Sequence, residues 1–179
     1  MNWNWLLLVL AVLAVAGVYL SWTAGRIDRL HARLDAARAV LEAQLFRRAA
    51  IALEVATSGM LDPATSLLVI DAAQRSSAAD DEEEREVAGS DLSKALAVVF
   101  PDVETSQEIA TEPGAAELLA ELGAACRRVE MARRFHNDTV ATTRALRGRR
   151  LVRWFRLAGH ARMPTTVEMD VTPPAGLAP

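Results

Sequence analysis

One cysteine, one lysine and one tyrosine occur in the 179 residues, and aromatic residues make up only 5% of them. The single cysteine, Cys126, excludes an internal disulfide and every multi-cysteine metal site. Basic charge is almost wholly arginine, with Lys94 the one lysine, and the net charge is −3. A dedicated nucleic-acid binder would be strongly basic, so no nucleic-acid partner is expected. Between Met1 and Gly25 no side chain carries a charge. Strand patterning is lacking too: apart from helical spacing, no two-residue alternation stands out. Phosphate-binding loops, Gly-x-Ser-x-Gly and zinc spacings are missing. Arg85 to Gly89 starts like a Nudix box, but Ala88 and Gly89 cannot ligate magnesium. No enzyme activity and no cofactor are therefore expected.

The uncharged N-terminal stretch is long and apolar. Its core, Trp5 to Trp22, is nearly all Leu, Val and Ala, close to the ~20 residues that cross a bilayer as a helix. Trp3, Trp5, Tyr19 and Trp22 stand at its two ends, where amphipathic rings settle at headgroup depth. A cleaved signal peptide would need a basic leader and a small-x-small site, and Ser21 to Gly25 is a poor one. Residues 1–25 are expected to stay as a single-pass plasma-membrane anchor, in contact with lipid through residues 5–22. Arg26, Arg29, Arg33 and Arg38 follow it, so the N-terminus is expected outside and the remainder in the cytoplasm.

Beyond the anchor the pattern is helical. Ile27, Leu30, Leu34, Ala37, Leu41, Leu45, Ala49, Ala52 and Ala56 recur every three or four residues. With no Pro or Gly from Arg26 to Ser58, one helix should run out of the membrane and end at Gly59. Asp62-Pro63 has the form of an N-cap with proline in the first turn. A second helical stretch covers about Pro63 to Phe100, either continuous or broken near Ser76–Asp81. Residues 101–113 suit a loop with at most one helical turn. A third long helix starts near Pro113 and ends or bends at Gly148. A short further helix suits Leu151–Leu157. The expected fold is all-α: a transmembrane helix continuing into an elongated antiparallel bundle of three to four long helices over residues 26–160. The first and third would run parallel in an up-down-up arrangement, with a flexible tail at 161–179.

Two segments carry a family likeness. One runs from Arg29-Leu30-His31 through Asp35-Ala36-Ala37 to Ala43-Gln44-Leu45-Phe46-Arg47-Arg48-Ala49. The other is Ala132-Arg133-Arg134-Phe135-His136-Asn137-Asp138-Thr139-Val140. With the apolar N-terminus and Phe100-Pro101-Asp102, they resemble the LemA family of bacterial single-pass helical proteins, over roughly residues 5–168. The sequence departs from that family at His136, where tyrosine is usual, and at Ala50 to Glu54, which replaces Ile-Pro-Asn-Leu-Val. It is similar to a divergent, actinobacterial-type branch. The family has no established enzymatic activity, so the resemblance implies a scaffold or envelope role.

Candidate sites follow from these segments. Arg47, Arg48, Arg133, Arg134, His136 and Asn137 form a candidate partner-binding set. In the parallel arrangement the two arginine pairs fall at similar heights. They either pair with Glu54, Glu130 or Asp138 at helical spacing or share an anion or a protein partner. His136 lacks converging ligands from His31 and His160, so a hydrogen-bonded structural role suits it better than metal. Asp80 to Glu84 lacks a calcium-loop layout and reads as a solvated face. Arg149, Arg150, Arg153, Trp154 and Arg156 make a basic amphipathic segment at 147–156. It can pack on the bundle end, dock a partner or lie on a membrane surface. An up-down-up bundle would leave it ~50 Å from the bilayer, which favours packing. The expected function is a membrane-anchored, partner-recruiting scaffold, with a lipid-organising role through 147–156 as the alternative. A homo-oligomer is compatible with both.

Overall fold

A computed structural model describes residues 3–155, 159 and 161–178. Among them the fold is all-α, without strands. The helices are α1 (Trp3–Thr57), α2 (Pro63–Ala78), α3 (Glu82–Val99), α4 (Val103–Ile109), α5 (Ala115–Arg147) and α6 (Arg150–Trp154), followed by a 3-10 turn at Ala175–Leu177.

The helix ends obey local chemistry. α1 runs unbroken for 55 residues and is long and apolar enough near its start to cross a membrane. It stops just before Gly59, whose φ of 88° is the left-handed conformation that glycine tolerates best. Asp62 then caps α2, its carboxylate accepting from the Ala64 and Thr65 N–H groups, with Pro63 in the first turn. Asp81 caps α3 by accepting from Glu84 N–H, and Glu82, Glu83 and Glu84 occupy the first turn. Negative charge there complements the helix dipole, so this part of the acidic run has a structural role. The second helical stretch is accordingly broken: Ala79 is extended, and α2 and α3 form a hairpin joined by Ala79–Asp81. The turn expected within 101–113 is α4, capped by Asp102 through Thr105 N–H.

Contacts gather the chain into two compact units, Met1–Ala36 with Asn137–Thr166, and Ala37–His136 with Val167–Pro179. The second unit holds the main core. Ala49, Ala52, Val55 and Ala56 of α1 meet Val69, Ala72 and Ala73 of α2, Leu92, Ala95 and Leu96 of α3, and Leu119 and Leu122 of α5. Farther back on α1, Leu41 and Leu45 cluster with Val129 and Ala132. Earlier residues of α5 thus meet later residues of α1, so the two helices are antiparallel in this unit. The parallel arrangement expected from three long helices fails. The break at Ala79–Asp81 adds a reversal of the chain, which turns up-down-up into up-down-up-down.

A second difference concerns the C-terminus. Residues 161–179 were expected to be a flexible tail. Instead Val167, Met169, Val171 and Leu177 are buried in the second unit. Val167-Glu168-Met169-Asp170-Val171 does alternate apolar and polar residues, a short pattern that helical periodicity conceals. Its apolar side chains join Leu41, Leu45, Val129 and Ala132 in one cluster. Its backbone is held by α3: Glu168 N–H donates to Glu86, Asp170 N–H donates to Ser90 Oγ at 3.0 Å, and Ser93 Oγ donates to the Asp170 carbonyl at 2.8 Å. Three polar side chains at helical spacing on α3 serve an extended strap that has no strand to pair with.

In the first unit, residues Trp3 to Tyr19 of α1 are exposed throughout. Packing starts where that stretch ends. Thr23 is buried, and Ile27, Leu30, Leu146 and Val152 form one cluster.

Candidate functional site

The two arginine pairs do not come together as the sequence suggested. Arg47 is exposed and pairs with Glu121 at 3.1 Å. Arg134 is exposed and lies 3.7 Å from Glu130, one turn away. Such surface pairs contribute ~0.2–1 kcal/mol at most. Because α1 and α5 are antiparallel in this unit, Arg47 is level with Glu121, and Arg133 lies 12 residues, ~18 Å, further along α5.

Arg48 behaves differently. It was expected to pair with a carboxylate at helical spacing or to share an anion or a protein partner, yet it is 1% exposed. Its guanidinium donates to Ser93 Oγ at 2.9 Å and to the Gly89 carbonyl at 2.8 Å. Its Nε is buried without a hydrogen-bond partner among the described residues. Burial pushes its pKa down, while Cys126 and Asp170 act in the opposite direction. Arginine stays protonated even so, so a full positive charge sits in the core. The charge is compensated by a hydroxyl, a carbonyl and the field of the Asp170 carboxylate. Asp170 is itself held below its ordinary value, first by the hydrogen bond from Thr172 N–H and also by Arg133 and Lys94.

This corner is a strap-anchoring site, and sequence reasoning missed it. Gly89, Ser90 and Ser93 of α3 present a small-residue face, and Arg48 reaches across to it. Met169 lies on Gly89, where an added Cβ would come within 3.3 Å of its sulfur. Farther along, Gly176 N–H donates to the Phe100 carbonyl at 3.1 Å, and Arg127 donates to the Leu177 carbonyl at 3.0 Å. Gly123 lets that carbonyl approach, since a Cβ there would stand 2.8 Å from it. The one signal available in the sequence was the Val-x-Met-x-Val alternation next to an otherwise unexplained run of Gly and Ser in α3.

Cys126 is buried beside this corner, and burial raises its thiol pKa against the influence of Arg48 and Arg127. That is an inert core thiol rather than a nucleophile. His136 is also buried. Arg133 and Asn137 are half-buried, and Asn137 belongs to the first unit. The partner-binding set is thus divided by burial: Arg48 and His136 are internal, while Arg47 and Arg134 face solvent.

The basic segment lies in the first unit. Arg147 is withdrawn from the surface, donating to the carbonyls of Ala161 and Arg162, and Arg144 Nε donates to the Pro164 carbonyl at 2.7 Å. Arg149, Arg150 and Arg153 are exposed. Within α6 only Val152 is buried, in the cluster with Ile27, Leu30 and Leu146. Leu151 and Phe155 are exposed, and Trp154 is 85% exposed. Trp154 and Phe155 meet edge to face, with ring centroids 6.5 Å apart. The aromatic face therefore does not pack on the helices, as had been favoured. Arg156, also in the candidate set, lies outside the described residues, as does His160. The ~50 Å separation from the anchor is corrected too. α5 returns within the first unit to the level of Ile27 and Leu30, just past the apolar stretch.

No family model matches the chain, and no curated protein or solved structure matches it.

Proposed function

We propose that this chain is a membrane-anchored helical scaffold of the LemA type, non-enzymatic, that recruits a protein partner at the bilayer surface. The observation that carries this reading is the unbroken α1. Its first part is exposed and apolar, and its later part forms the wall of the core against α2, α3 and α5. Exposed Leu, Val and Trp on this scale are costly in water, at ~25 cal/mol per Å² of apolar surface, and are relieved by lipid. Within the first unit, α1 continues from that stretch into the cluster with Leu146 and Val152, which places that cluster next to the bilayer. The arginines at 26, 29 and 33, joined at the same level by those at 149, 150 and 153, favour a cytoplasmic position for this end. The all-α fold and the two quoted segments support the family assignment.

Alkaline carbonate washing of membranes tests the anchor. The full chain is expected to remain in the pellet. Its quantitative release into the supernatant would refute the proposal. Recruitment is tested by proximity labelling from the native chain. Arg47→Glu with Arg134→Glu reverses the exposed charges and should remove specific neighbours while leaving the helical circular dichroism unchanged.

A further inference from the structure

We propose that α6 and its flanks, through Arg149, Arg150, Arg153 and Trp154, form a second membrane contact that binds anionic phospholipid headgroups beside the anchor. The inference rests on the anchor reading above and adds a ligand class to it. Its basis is the depth at which the first unit holds this segment. Trp5 to Trp22 is 18 residues, ~27 Å of helix, which matches a hydrocarbon core of ~30 Å. Ile27 lies five residues past Trp22, ~8 Å along the axis, within the headgroup layer. Val152 is buried in the cluster with Ile27, so α6 is held at that depth.

What α6 presents there is chemically matched to an anionic interface. With Val152 turned inward, the exposed side chains are three arginines together with Leu151, Trp154 and Phe155. Among the described residues, none of the three arginines has a carboxylate within ion-pair distance. Arg147, by contrast, is used internally. An indole this exposed is poorly placed in water and well placed at headgroup level, where its ring meets the acyl boundary and its N–H meets phosphate or glycerol oxygens. At the anchor's edge, Arg26 lies over the Trp22 ring with 6.0 Å to its centroid, a second cation and indole at the same level. Guanidinium groups bind phosphate oxygens in a fork, which suits phosphatidylglycerol or phosphatidylserine over a zwitterionic headgroup.

The test uses the full chain in nanodiscs of phosphatidylcholine, with or without phosphatidylglycerol. Trp3→Phe, Trp5→Phe and Trp22→Phe together leave Trp154 as the sole tryptophan. Its fluorescence should be shielded from acrylamide, and quenched by headgroup-labelled lipid, only in the anionic discs, with the effect reversed by high salt. Inorganic phosphate added to phosphatidylcholine discs should not reproduce it. Each of Arg149→Gln, Arg150→Gln and Arg153→Gln should weaken the lipid-dependent protection about fivefold. Hydrogen exchange at 149–155 in the unsubstituted chain gives the same comparison without altering the anchor, and should slow in the anionic discs. Equal acrylamide access and equal exchange in both compositions would overturn the proposal, as would protection that follows an added protein instead of lipid charge. Failure of the anchor reading is distinguishable, because the chain would then not co-elute with either disc.

Discussion

Arg48 is a charged residue in an alanine-rich core, and its neighbours explain how it is tolerated. The guanidinium is held by Ser93 Oγ and the Gly89 carbonyl, with no carboxylate in ion-pair contact among the described residues. Buried charges of this kind add little net stability, since desolvation offsets what the polar contacts return. Its long apolar stem still fills the space between α1 and α3. Arg48→Ala is expected to destabilise the protein by ~2–4 kcal/mol, the scale of emptying a buried volume of this size. Arg48→Met keeps the volume and removes the charge, and Ser93 still donates to the Asp170 carbonyl. It should fall within ~1–2 kcal/mol of the natural chain. Urea titration of both variants measures this. Equal loss in both would mean that the charge, not the stem, is what the core requires. The neighbouring Arg47 lies on the surface. Helical spacing separates the two: Arg48 lies three residues after Leu45 and four before Ala52, on the apolar stripe, and Arg47 lies off it. The position of α3 decides what the buried guanidinium meets.

At the scale of elements, the C-terminal strap is the least helical part of the fold and among the most dependent on particular small residues. Val167, Met169 and Val171 fill one cluster, and Gly176 lies against the carbonyls of Asp102 and Phe100, where no Cβ fits. Gly176→Ala must displace the end of the strap, because besides the Ser106 hydroxyl the opposing atoms are the backbone carbonyl oxygens of Asp102 and Phe100, which cannot move aside. Overpacking of this kind costs ~1–3 kcal/mol. Limited proteolysis should cut residues 172–178 faster in this variant, with the helices left intact by circular dichroism. Unchanged cleavage would show that the strap end is not held by that approach. The helix start at Asp62-Pro63 was readable in advance as a local signal, and the cap formed where it stood. The cap at Asp102 was not read, since residues 101–113 were expected to be a loop with at most one helical turn. The break at Ala79–Asp81 was left open, because both outcomes satisfy local propensity. What closes the α2–α3 hairpin is the burial of Val69, Ala72 and Ala73 against Leu92 and Leu96.

For the whole molecule, acid is the informative perturbation. Asp62 is held below its ordinary value of 3.8 first by the hydrogen bond from the Thr65 side chain, and Asp102 by the Thr105 N–H. Asp170 is lowered by Thr172 N–H. Each group binds its proton more weakly folded than unfolded. The stability it contributes is present above the unfolded value, near pH 3.8, and is lost as the pH falls through the lower folded value. Thermal melts should therefore be level around neutrality and fall below about pH 4. Asp62→Asn, which keeps a capping oxygen without the titration, should flatten part of that fall. A midpoint that declined equally in both proteins would assign the acid response to other groups.

The sequence by itself determined the all-α class, the long apolar N-terminal helix, the helix start at Asp62, and the basic segment near 150. These follow from periodicity, hydropathy and capping, which act over a few neighbouring residues. Tertiary structure alone decided the rest. In the second unit a reversal between α2 and α3 set that part of α5 antiparallel to α1, brought Arg48 against Ser93 and Gly89, and seated the C-terminal strap on α3; within the first unit α6 came level with the end of the apolar stretch. Those outcomes depend on contacts between residues far apart in the chain, where burial of small apolar faces and close backbone approach select one arrangement among several that local preferences permit equally.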